Sequence, residues 1–319
     1  MRAHLEAARP RTLPAAVAPV LVGTAAAHRA PFDLSVGRAL LALVVALALQ
    51  VAVNYANDLF DGLKGVDTAQ RTGPRRAVAS GLITPRAMAW STGIALFVAA
   101  LAGLTLAWLV GWELLLVGVG AMVAVLGYSG GRHPYASRGL GELSVFVFFG
   151  VVATVGSQYV QDGHIGLVSV VASVPIGFLA VGLLVVNNLR DIPTDELAGK
   201  RTLAVRLGDG ATRTLFTSLL LGALVGLGVV ALAAGSPWPL LGLVAAPLGL
   251  GAVAVVRGGA TGRELVPALE RTARFQLLLA LGAALGLLVA GSGGALTAAA
   301  VGTAGAAVGT AGAAVGVVT

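Results

Sequence analysis

Long apolar stretches separated by short polar ones make up most of the sequence. A helix that crosses a bilayer needs about 20 mainly apolar residues, and runs of that order recur along the chain. They lie at roughly 13–28, 36–57, 88–110, 112–131, 140–160, 166–187, 211–234, 237–256 and 274–291. These runs lack the residue-by-residue alternation that is typical of a transmembrane β-barrel. The pattern therefore predicts an all-α polytopic membrane protein with about nine transmembrane helices.

The composition excludes a soluble globular domain. Of the 319 residues, 57% are hydrophobic and 11% are charged, and the mean hydropathy is +0.91. Soluble proteins of this length do not reach such values. The chain contains no cysteine, which excludes disulfides and thiol chemistry.

The distribution of positive charge predicts the orientation in the membrane. The formal net charge of +7 would by itself be compatible with nucleic-acid binding. With nine helices, however, all but two of the 21 lysines and arginines fall on one face, and the exceptions are Arg29 and Arg38. The positive-inside rule makes this face cytoplasmic. We therefore expect a multi-pass protein of the cell membrane, with a cytoplasmic N-terminus and no nucleic-acid partner.

Both ends of the chain differ from its central part. The first apolar run follows Arg2, Arg9 and Arg11 and resembles a signal peptide. If this run were removed, the lysines and arginines would no longer fall on one face of the membrane. We therefore interpret it as the first transmembrane helix. From residue 292 the sequence is an uncharged low-complexity repeat of Gly, Ala and Val. We expect one membrane domain at 1–291 and a poorly ordered tail at 292–319 without a catalytic role; a surface helix or a tenth span stays open.

A cluster of acidic and amide residues ends the second predicted helix. Its members are spaced i, i+3, i+4 and i+7 and therefore share one helix face: Asn54, Asn57, Asp58 and Asp61. Acidic residues near a helix C-terminus oppose the helix dipole, so capping does not explain them. Asp67 follows in the loop, and its part in the cluster stays open.

A second acidic pair, Asp191 and Asp195, ends the sixth predicted helix. Because the second and sixth helices both end on the cytoplasmic face, we expect the two clusters to meet. Magnesium binds through one or two carboxylates plus substrate phosphates, which fits few ligands spread over two patches. Neither a calcium-binding hand nor a GxxxxGK[ST] phosphate loop is present. The expected magnesium ligands are Asn57, Asp58, Asp61, Asp191 and Asp195.

Basic residues follow the acidic clusters on the same predicted face. Arginine can hold two diphosphate oxygens at once, and lysine supplies a point charge. For any single arginine, a topology signal or a lipid-headgroup contact is an equally good explanation. Together they indicate a prenyl diphosphate, with its head at the metals and its tail in the bilayer. The residues concerned are Arg75, Arg76, Arg132, Lys200 and Arg201.

At these residues the sequence resembles the UbiA superfamily of intramembrane aromatic prenyltransferases. The two acidic motifs of that superfamily read Asn57-Asp-Leu-Phe-Asp61 and Asp191-Ile-Pro-Thr-Asp195 here. The stretches 8–14, 54–58, 141–150 and 187–195 favour the branch that prenylates 1,4-dihydroxy-2-naphthoate for menaquinone biosynthesis. The resemblance covers about residues 8–291. Gly65 is a departure, because many members carry a further aspartate there.

The resemblance implies a fold, a set of ligands and a reaction. Nine helices would surround a central cavity that is capped by cytoplasmic loops and open sideways to membrane lipid. Two magnesium ions, held through Asn57/Asp61 and Asp191/Asp195, would bind a polyprenyl diphosphate so that its allylic carbon–oxygen bond ionises. The dihydroxynaphthoate ring would attack the carbocation and lose carbon dioxide, giving demethylmenaquinol.

On this interpretation the polar residues divide into two groups. Catalytic roles are expected for Asp61, Asp191, Lys200 and Arg132. Substrate-binding roles are expected for Asn54, Arg75, Arg76, Tyr128, Asn188 and Arg201. Candidates to shield the carbocation with their ring faces are Tyr128, Phe146 and Phe149, with packing as the commoner alternative.

Two alternatives remain at the level of sequence. A different aromatic acceptor, such as 4-hydroxybenzoate, would keep the same chemistry. A membrane transporter would place charges near the middle of its spans, where this sequence has almost none. The sequence leaves open the prenyl chain length and the oligomeric state.

Overall fold

The computed structural model describes residues 2–28, 34–64 and 76–313, with side chains as far as residue 292. These residues form helices and turns, without a strand. The α-helices are α1 (Arg2–Ala7), α2 (Pro14–Ala26), α3 (Val36–Leu63), α4 (Pro85–Leu109), α5 (Leu114–Ser129), α6 (Gly141–Val145), α7 (Ala153–Asp162), α8 (Leu167–Leu197), α9 (Leu203–Ala233), α10 (Ala246–Arg257) and α11 (Val266–Ala313). A π-helical segment, Phe146–Val152, joins α6 to α7, and a 3-10 segment, Trp238–Ala245, precedes α10.

Seven helical segments in the described part of the chain are long and apolar enough to cross a membrane, which makes this a multi-pass membrane protein. They are Val36–Leu63, Pro85–Leu109, Gly141–Asp162, Leu167–Leu197, Leu203–Ala233, Trp238–Arg257 and Gly262–Ser292. The other two predicted runs coincide with shorter apolar helices, α2 with 13 residues and α5 with 16. At 1.5 Å per residue these rise by about 20 and 24 Å, less than the roughly 30 Å of a hydrocarbon core. The expected fold class is confirmed, but not the count of nine spans.

The polar ends of two helices are longer than the apolar pattern predicts. α3 continues to Leu63 instead of ending near residue 57, and α8 continues to Leu197 instead of ending near residue 187. Both acidic clusters therefore lie on helical turns. Helical geometry fixes the directions of their side chains more firmly than a loop would.

The C-terminal boundary predicted at residue 291 does not coincide with a helix end. α11 begins at Val266 and runs without interruption to Ala313. The backbone of residues 292–313 is helical, which is one of the alternatives left open for the tail, and the boundary at residue 291 stays a prediction. Residues 314–319 lie outside the described part.

Tight packing is concentrated in α2 and α8–α11. Their buried residues form one large apolar cluster, in which Phe216, Phe275 and Leu279 are 0% exposed. α3, α4 and α5 bury fewer side chains, and the outer face of α4 exposes large apolar residues such as Phe97 and Trp108. An exposed apolar face of this kind suits contact with lipid. A cavity lies between α3, α5 and the 141–162 helix on one side and α2 and α8 on the other.

Candidate functional site

A single elongated cavity brings together most of the predicted site residues. It has a volume of about 320 Å³ and is polar at one end. The remainder of its wall is apolar and includes Val20, Ala42, Leu106 and Val160. The polar end is lined by Arg9, Thr12, Gln50, Asn54, Asn57, Asp61, Arg76, Tyr128, Ser129, Asn187, Asn188, Arg190, Asp191, Asp195 and Lys200.

Asp61 connects three parts of the chain at this polar end. Its Oδ2 accepts a hydrogen bond from Nη2 of Arg76 at 3.0 Å and one from Nζ of Lys200 at 2.9 Å. The side chains of Asp61 and Arg76 are each 5% exposed, and that of Lys200 is 16% exposed. Because Lys200 follows α8 and Asp61 ends α3, this contact confirms that the ends of the two helices meet.

The second acidic pair has a different arrangement. Arg190 donates two hydrogen bonds to the neighbouring Asp191, from Nε to Oδ1 and from Nη2 to Oδ2, each 2.8 Å long. Asp195 lines the cavity one turn later, and its backbone carbonyl accepts a hydrogen bond from the N–H of Lys200 at 2.8 Å. The turn that follows α8 therefore positions Lys200 beside the acidic pair.

Asp58 does not face the cavity, and its predicted role as a metal ligand is not supported. Oδ2 accepts a hydrogen bond from the N–H of Ala77 at 3.0 Å, and Oδ1 accepts one from the N–H of Val78 at 2.9 Å. Asp58 is 2% exposed and is not among the residues that line the cavity. Its carboxylate holds the segment that begins at Arg76, because both oxygens are used by backbone donors.

The two asparagines of the first cluster make structural contacts at the cavity wall. Asn54 donates from Nδ2 to the carbonyl of Ala8 at 2.9 Å and to Oγ1 of Thr12 at 3.2 Å. Asn57 accepts a hydrogen bond at Oδ1 from the Ser129 hydroxyl at 2.9 Å. Asn54 therefore fixes the N-terminal segment, and its predicted substrate contact stays a prediction. Asn57 keeps a second lone pair that could face a cation.

Two of the predicted basic residues lie away from the cavity. Arg132 and Arg201 are exposed, and neither lines the cavity. The backbone of Arg201 pairs with Ser137, and its carbonyl accepts a hydrogen bond from Arg206. The expected catalytic role of Arg132 and the substrate contact of Arg201 are therefore not supported. Arg75 and Asp67 lie outside the described residues.

The structure also adds two arginines that the sequence pattern did not single out. Arg190 lines the cavity and holds Asp191. Arg9 lines it from the N-terminal segment and has a left-handed backbone, with φ of 52° and ψ of 70°. A non-glycine residue in this region is strained. The following Pro10 disfavours the right-handed helical region at Arg9 and was the available signal.

Aromatic side chains occupy the junction between the polar end and the apolar wall. Tyr128 lines the cavity and packs edge-on against Tyr135, with ring centroids 5.5 Å apart. Burial raises the pKa of Tyr135, which lies in the loop after α5 and donates a hydrogen bond to the carbonyl of Ala124 at 2.7 Å. Phe149 lines the cavity, whereas Phe146 packs against Phe178, with ring centroids 5.9 Å apart. Of the three predicted shielding rings, two face the cavity.

At Gly150 the π-helical segment meets the backbone of α8 directly. A β-carbon on Gly150 would lie 2.7 Å from Cα of Gly177, too close for any larger residue. The backbones therefore touch, and Phe148 and Phe149 project into the cavity from a fixed position. π-helical turns often occur at functional sites.

The donor set fits a magnesium site that is completed by a ligand. Among the described residues, no group of three or more His, Asp or Glu side chains is close enough to hold a metal by itself. Carboxylate and amide oxygens from Asn57, Asp61, Asp191 and Asp195 nevertheless line one cavity. Magnesium prefers oxygen ligands and keeps positions for water or phosphate. An open site of this composition therefore suits a magnesium ion that arrives with a phosphorylated ligand.

Comparisons with known proteins agree with this geometry. The sequence matches the model of the UbiA prenyltransferase family over residues 16–266. It is 49% identical over 280 residues to the 1,4-dihydroxy-2-naphthoate octaprenyltransferase of Mycobacterium tuberculosis, covering 87% of this chain and 94% of that protein. It is 39% identical over 298 residues to the Escherichia coli protein of the same name, covering 90% of this chain and 96% of that protein.

Solved structures share the fold. A UbiA homolog from Archaeoglobus fulgidus bound to GPP and Mg2+ has a TM-score of 0.62 at 17% identity, covering 88% of this chain and 99% of that chain. A UbiA homolog from Aeropyrum pernix K1 has a TM-score of 0.64 at 17% identity, covering 85% of this chain and 95% of that chain. At such identity the likeness concerns the arrangement of helices alone.

Proposed function

Because the chain belongs to the UbiA prenyltransferase family, we propose that it transfers a polyprenyl group from a polyprenyl diphosphate to 1,4-dihydroxy-2-naphthoate. The relatives from M. tuberculosis and E. coli carry this acceptor in their names. In the reaction, the allylic carbon–oxygen bond breaks and the ring carbon that bears the carboxylate bonds to the allylic carbon. The carboxylate leaves as carbon dioxide. The product is demethylmenaquinol, an intermediate of menaquinone biosynthesis.

The observation that carries the proposal is the amphiphilic cavity. One end collects carboxylates and cations from the ends of α3 and α8, and the rest of the wall is apolar. A polyprenyl diphosphate has the same division, with a charged head on a long hydrocarbon. A soluble phosphorylated substrate would not require the apolar part, so the shape of the cavity favours a lipid-like donor.

Lys200 and Arg76 are the residues that we propose to bind the diphosphate. Both contact the same oxygen of Asp61, so an anion beside Asp61 meets both cations. Arginine provides paired donors and lysine a point charge. Fixed cations stabilise the negative charge that develops on the leaving diphosphate. Arg9 and Arg190, which line the same end, add to this positive field.

We propose two magnesium ions, one at Asn57 and Asp61 and one at Asp191 and Asp195. When bound, magnesium supplies Lewis-acid neutralisation of the diphosphate oxygens. The protein residues hold the carboxylates in place, with Arg190 orienting Asp191 and Ser129 orienting Asn57. The A. fulgidus homolog, described as bound to GPP and Mg2+, supports this cofactor.

Tyr128 and Phe149 are the residues that we propose to shield the allylic cation. Both line the cavity, and an aromatic ring face attracts a cation within about 6 Å. The apolar wall around them also excludes water, which would otherwise capture the cation as an alcohol.

We propose that residues 1–291 form one membrane domain with nine spans, in which α2 and α5 are the short ones. The acidic ends of α3 and α8 and the N-terminus would face the cytoplasm across the plasma membrane. Arg38 is an exception to the charge rule, and its hydrogen bonds to the carbonyls of Val160 and Gln161 give it a structural role at the opposite end of the bundle. Residues 292–319 would have no catalytic part.

Product analysis by mass spectrometry tests the proposal. Purified protein is incubated with 1,4-dihydroxy-2-naphthoate or 4-hydroxybenzoate and a series of prenyl diphosphates, with and without magnesium. We expect a prenylated naphthalenediol that lacks the carboxylate, formed only with magnesium. A product from 4-hydroxybenzoate alone, or a naphthoate product that keeps its carboxylate, would contradict the assigned acceptor or the decarboxylation.

A further inference from the structure

Glu142 is a buried carboxyl group that the proposed chemistry does not yet use. It lies at the second position of α6 and is 7% exposed. Its neighbour Gly141 lines the cavity, as does Ser144 one turn later, but Glu142 itself lies one layer behind the wall.

One of the two carboxylate oxygens of Glu142 accepts a hydrogen bond, and the other does not. Oε1 accepts a hydrogen bond from Nδ2 of Asn188 at 2.9 Å. Oε2 is buried and has no hydrogen-bond partner among the described residues, and no basic side chain in that part of the chain pairs with it. Burying a carboxylate without a counter-charge is costly. The helix N-terminus offsets part of that cost, but a neutral side chain at this position would be the more stable choice.

The contact fixes the direction of the Asn188 side chain. Because Nδ2 of Asn188 donates to Oε1 of Glu142, the amide turns its NH2 group towards Glu142 and its Oδ1 the other way. Asn188 lines the cavity one helical turn before Asp191. With Glu142 in place, the cavity therefore meets a carbonyl oxygen at this position, a hydrogen-bond acceptor. Without Glu142, either end of the amide could turn inward.

We propose that Glu142 is a positioning residue for the aromatic acceptor: it locks the Asn188 amide so that Oδ1 accepts a hydrogen bond from a ring hydroxyl. The inference rests on the proposed function and names the contact that recognises the hydroxylated ring. A hydrogen bond accepted from a phenolic hydroxyl increases the electron density of the ring, which favours attack on the allylic cation. A site that presents an acceptor also discriminates against rings without a hydroxyl.

The proposal is tested with Glu142→Leu, Glu142→Gln and Asn188→Leu, measuring the KM of each substrate separately. We expect Glu142→Leu and Asn188→Leu to raise the KM for dihydroxynaphthoate about tenfold, the effect of one lost hydrogen bond. The KM for the prenyl diphosphate should stay unchanged. Glu142→Gln should restore the acceptor KM to within about threefold, because its amide oxygen can accept from Asn188. The double variant Glu142→Leu/Asn188→Leu should be no worse than either single variant.

A second measurement compares acceptors with one and two ring hydroxyls. The wild-type protein should prefer the dihydroxy ring over 1-hydroxy-2-naphthoate or 4-hydroxy-2-naphthoate, and Glu142→Leu should lose the preference against one of them. Equal losses in both substrates' KM values would overturn the proposal in favour of a structural role. A Glu142→Gln variant as impaired as Glu142→Leu would overturn it in favour of proton transfer. Absence of any prenylated naphthalenediol from the wild-type protein would instead contradict the proposed function itself.

Should the leucine variants not fold, the glutamine variant and the acceptor comparison on wild-type protein decide the question. A wild-type enzyme that uses both monohydroxy rings as well as the dihydroxy ring has no hydroxyl-reading contact, and the inference then fails.

Discussion

The two acidic helix ends contain similar residues but are held in opposite ways. At the end of α3, Asp61 is held by cations from distant parts of the chain, Arg76 and Lys200. At the end of α8, Asp191 is held by Arg190, its neighbour in sequence. The first end therefore depends on the assembled fold, whereas the second carries its own counter-charge. A disturbance at Asp61 should therefore reach the segments of Arg76 and Lys200, whereas the Arg190–Asp191 pair lies within α8 itself.

A second contrast exists within the first cluster. Asp58 and Asp61 are three residues apart on α3, so their directions differ by only about 60°. Asp58 nevertheless meets backbone donors at Ala77 and Val78, and Asp61 lines the cavity. Spacing along a helix places two carboxylates near each other, but the opposing segment decides what each of them does.

Removal of the cavity carboxylates should have the largest effect. Asp61→Ala and Asp191→Ala should each lower the rate of prenyl transfer by about 100-fold or more, because each removes charge at the proposed diphosphate site. Initial rates at saturating magnesium measure this. The comparison predicts a difference in stability as well: Asp61→Ala leaves Arg76 and Lys200 without their shared anion and should lower the unfolding temperature more. Full activity in both variants would rule out this site.

Loss of the lysine that joins the two ends should have the next largest effect. Lys200→Ala should raise the KM for the prenyl diphosphate about tenfold, because a charge-assisted contact is lost. Lys200→Arg should recover part of it. Lys64→Ala is the matched control, since the Lys64 amine caps the Ser129 carbonyl at 2.8 Å and should leave that KM unchanged. An equal KM in Lys200→Ala and Lys64→Ala would remove Lys200 from the diphosphate site.

Asp58 should affect stability more than magnesium dependence. Asp58→Ala leaves two backbone N–H groups without their acceptor and should cost about 1–3 kcal/mol of folding free energy. The magnesium concentration for half-maximal activity should rise far less than in Asp61→Ala, because Asp58 does not line the cavity and reaches the site through the segment of Arg76. Thermal unfolding in detergent and a magnesium titration test the two halves. A higher magnesium requirement together with an unchanged unfolding temperature would instead indicate that Asp58 is a magnesium ligand.

The exposed arginines should have the smallest effect. Arg132→Ala and Arg201→Ala remove charges that do not line the cavity, so kcat/KM should change by less than about twofold, within the range of an exposed charge contact. Steady-state kinetics in matched buffers measure this. A tenfold loss in either variant would show that its loop moves onto the site.

The helices and the meeting of the two acidic clusters could be predicted from the sequence. The helices follow from the long apolar runs, and the meeting of the clusters follows from the distribution of lysine and arginine between the loops. Each apolar run coincides with a helix, and this distribution correctly placed Lys200 and Asp61 on one side. Which basic residue reaches the cavity could not be predicted in this way. Arg76 and Arg132 satisfy the same charge rule, but Asp58 and Asp61 hold the segment of Arg76 at the site.

The helix ends and the N-terminal arginine show another limit. α8 continues ten residues beyond the apolar run because helix formation does not stop where hydrophobicity does. Arg9 has a left-handed backbone. The Thr12 hydroxyl donates to the carbonyl of Arg9, and the Asn54 amide donates to the carbonyl of the preceding Ala8. Pro10 disfavours the right-handed helical region at Arg9, but the left-handed conformation itself depends on the surrounding contacts.

The π-helical segment Phe146–Val152 lets one helix serve the whole length of the cavity. The wall residues on this helix recur in two rows with a period of four: 141, 145, 149, 153 and 157, and 144, 148, 152, 156 and 160. In an uninterrupted α-helix such a row would rotate by about 40° per step, or about 160° over four steps, and would leave the cavity. The wider π turns cancel much of this drift. The segment thus keeps both rows of wall residues on the cavity side of the helix. The polar head and the hydrocarbon of one ligand can therefore lie against the same helix.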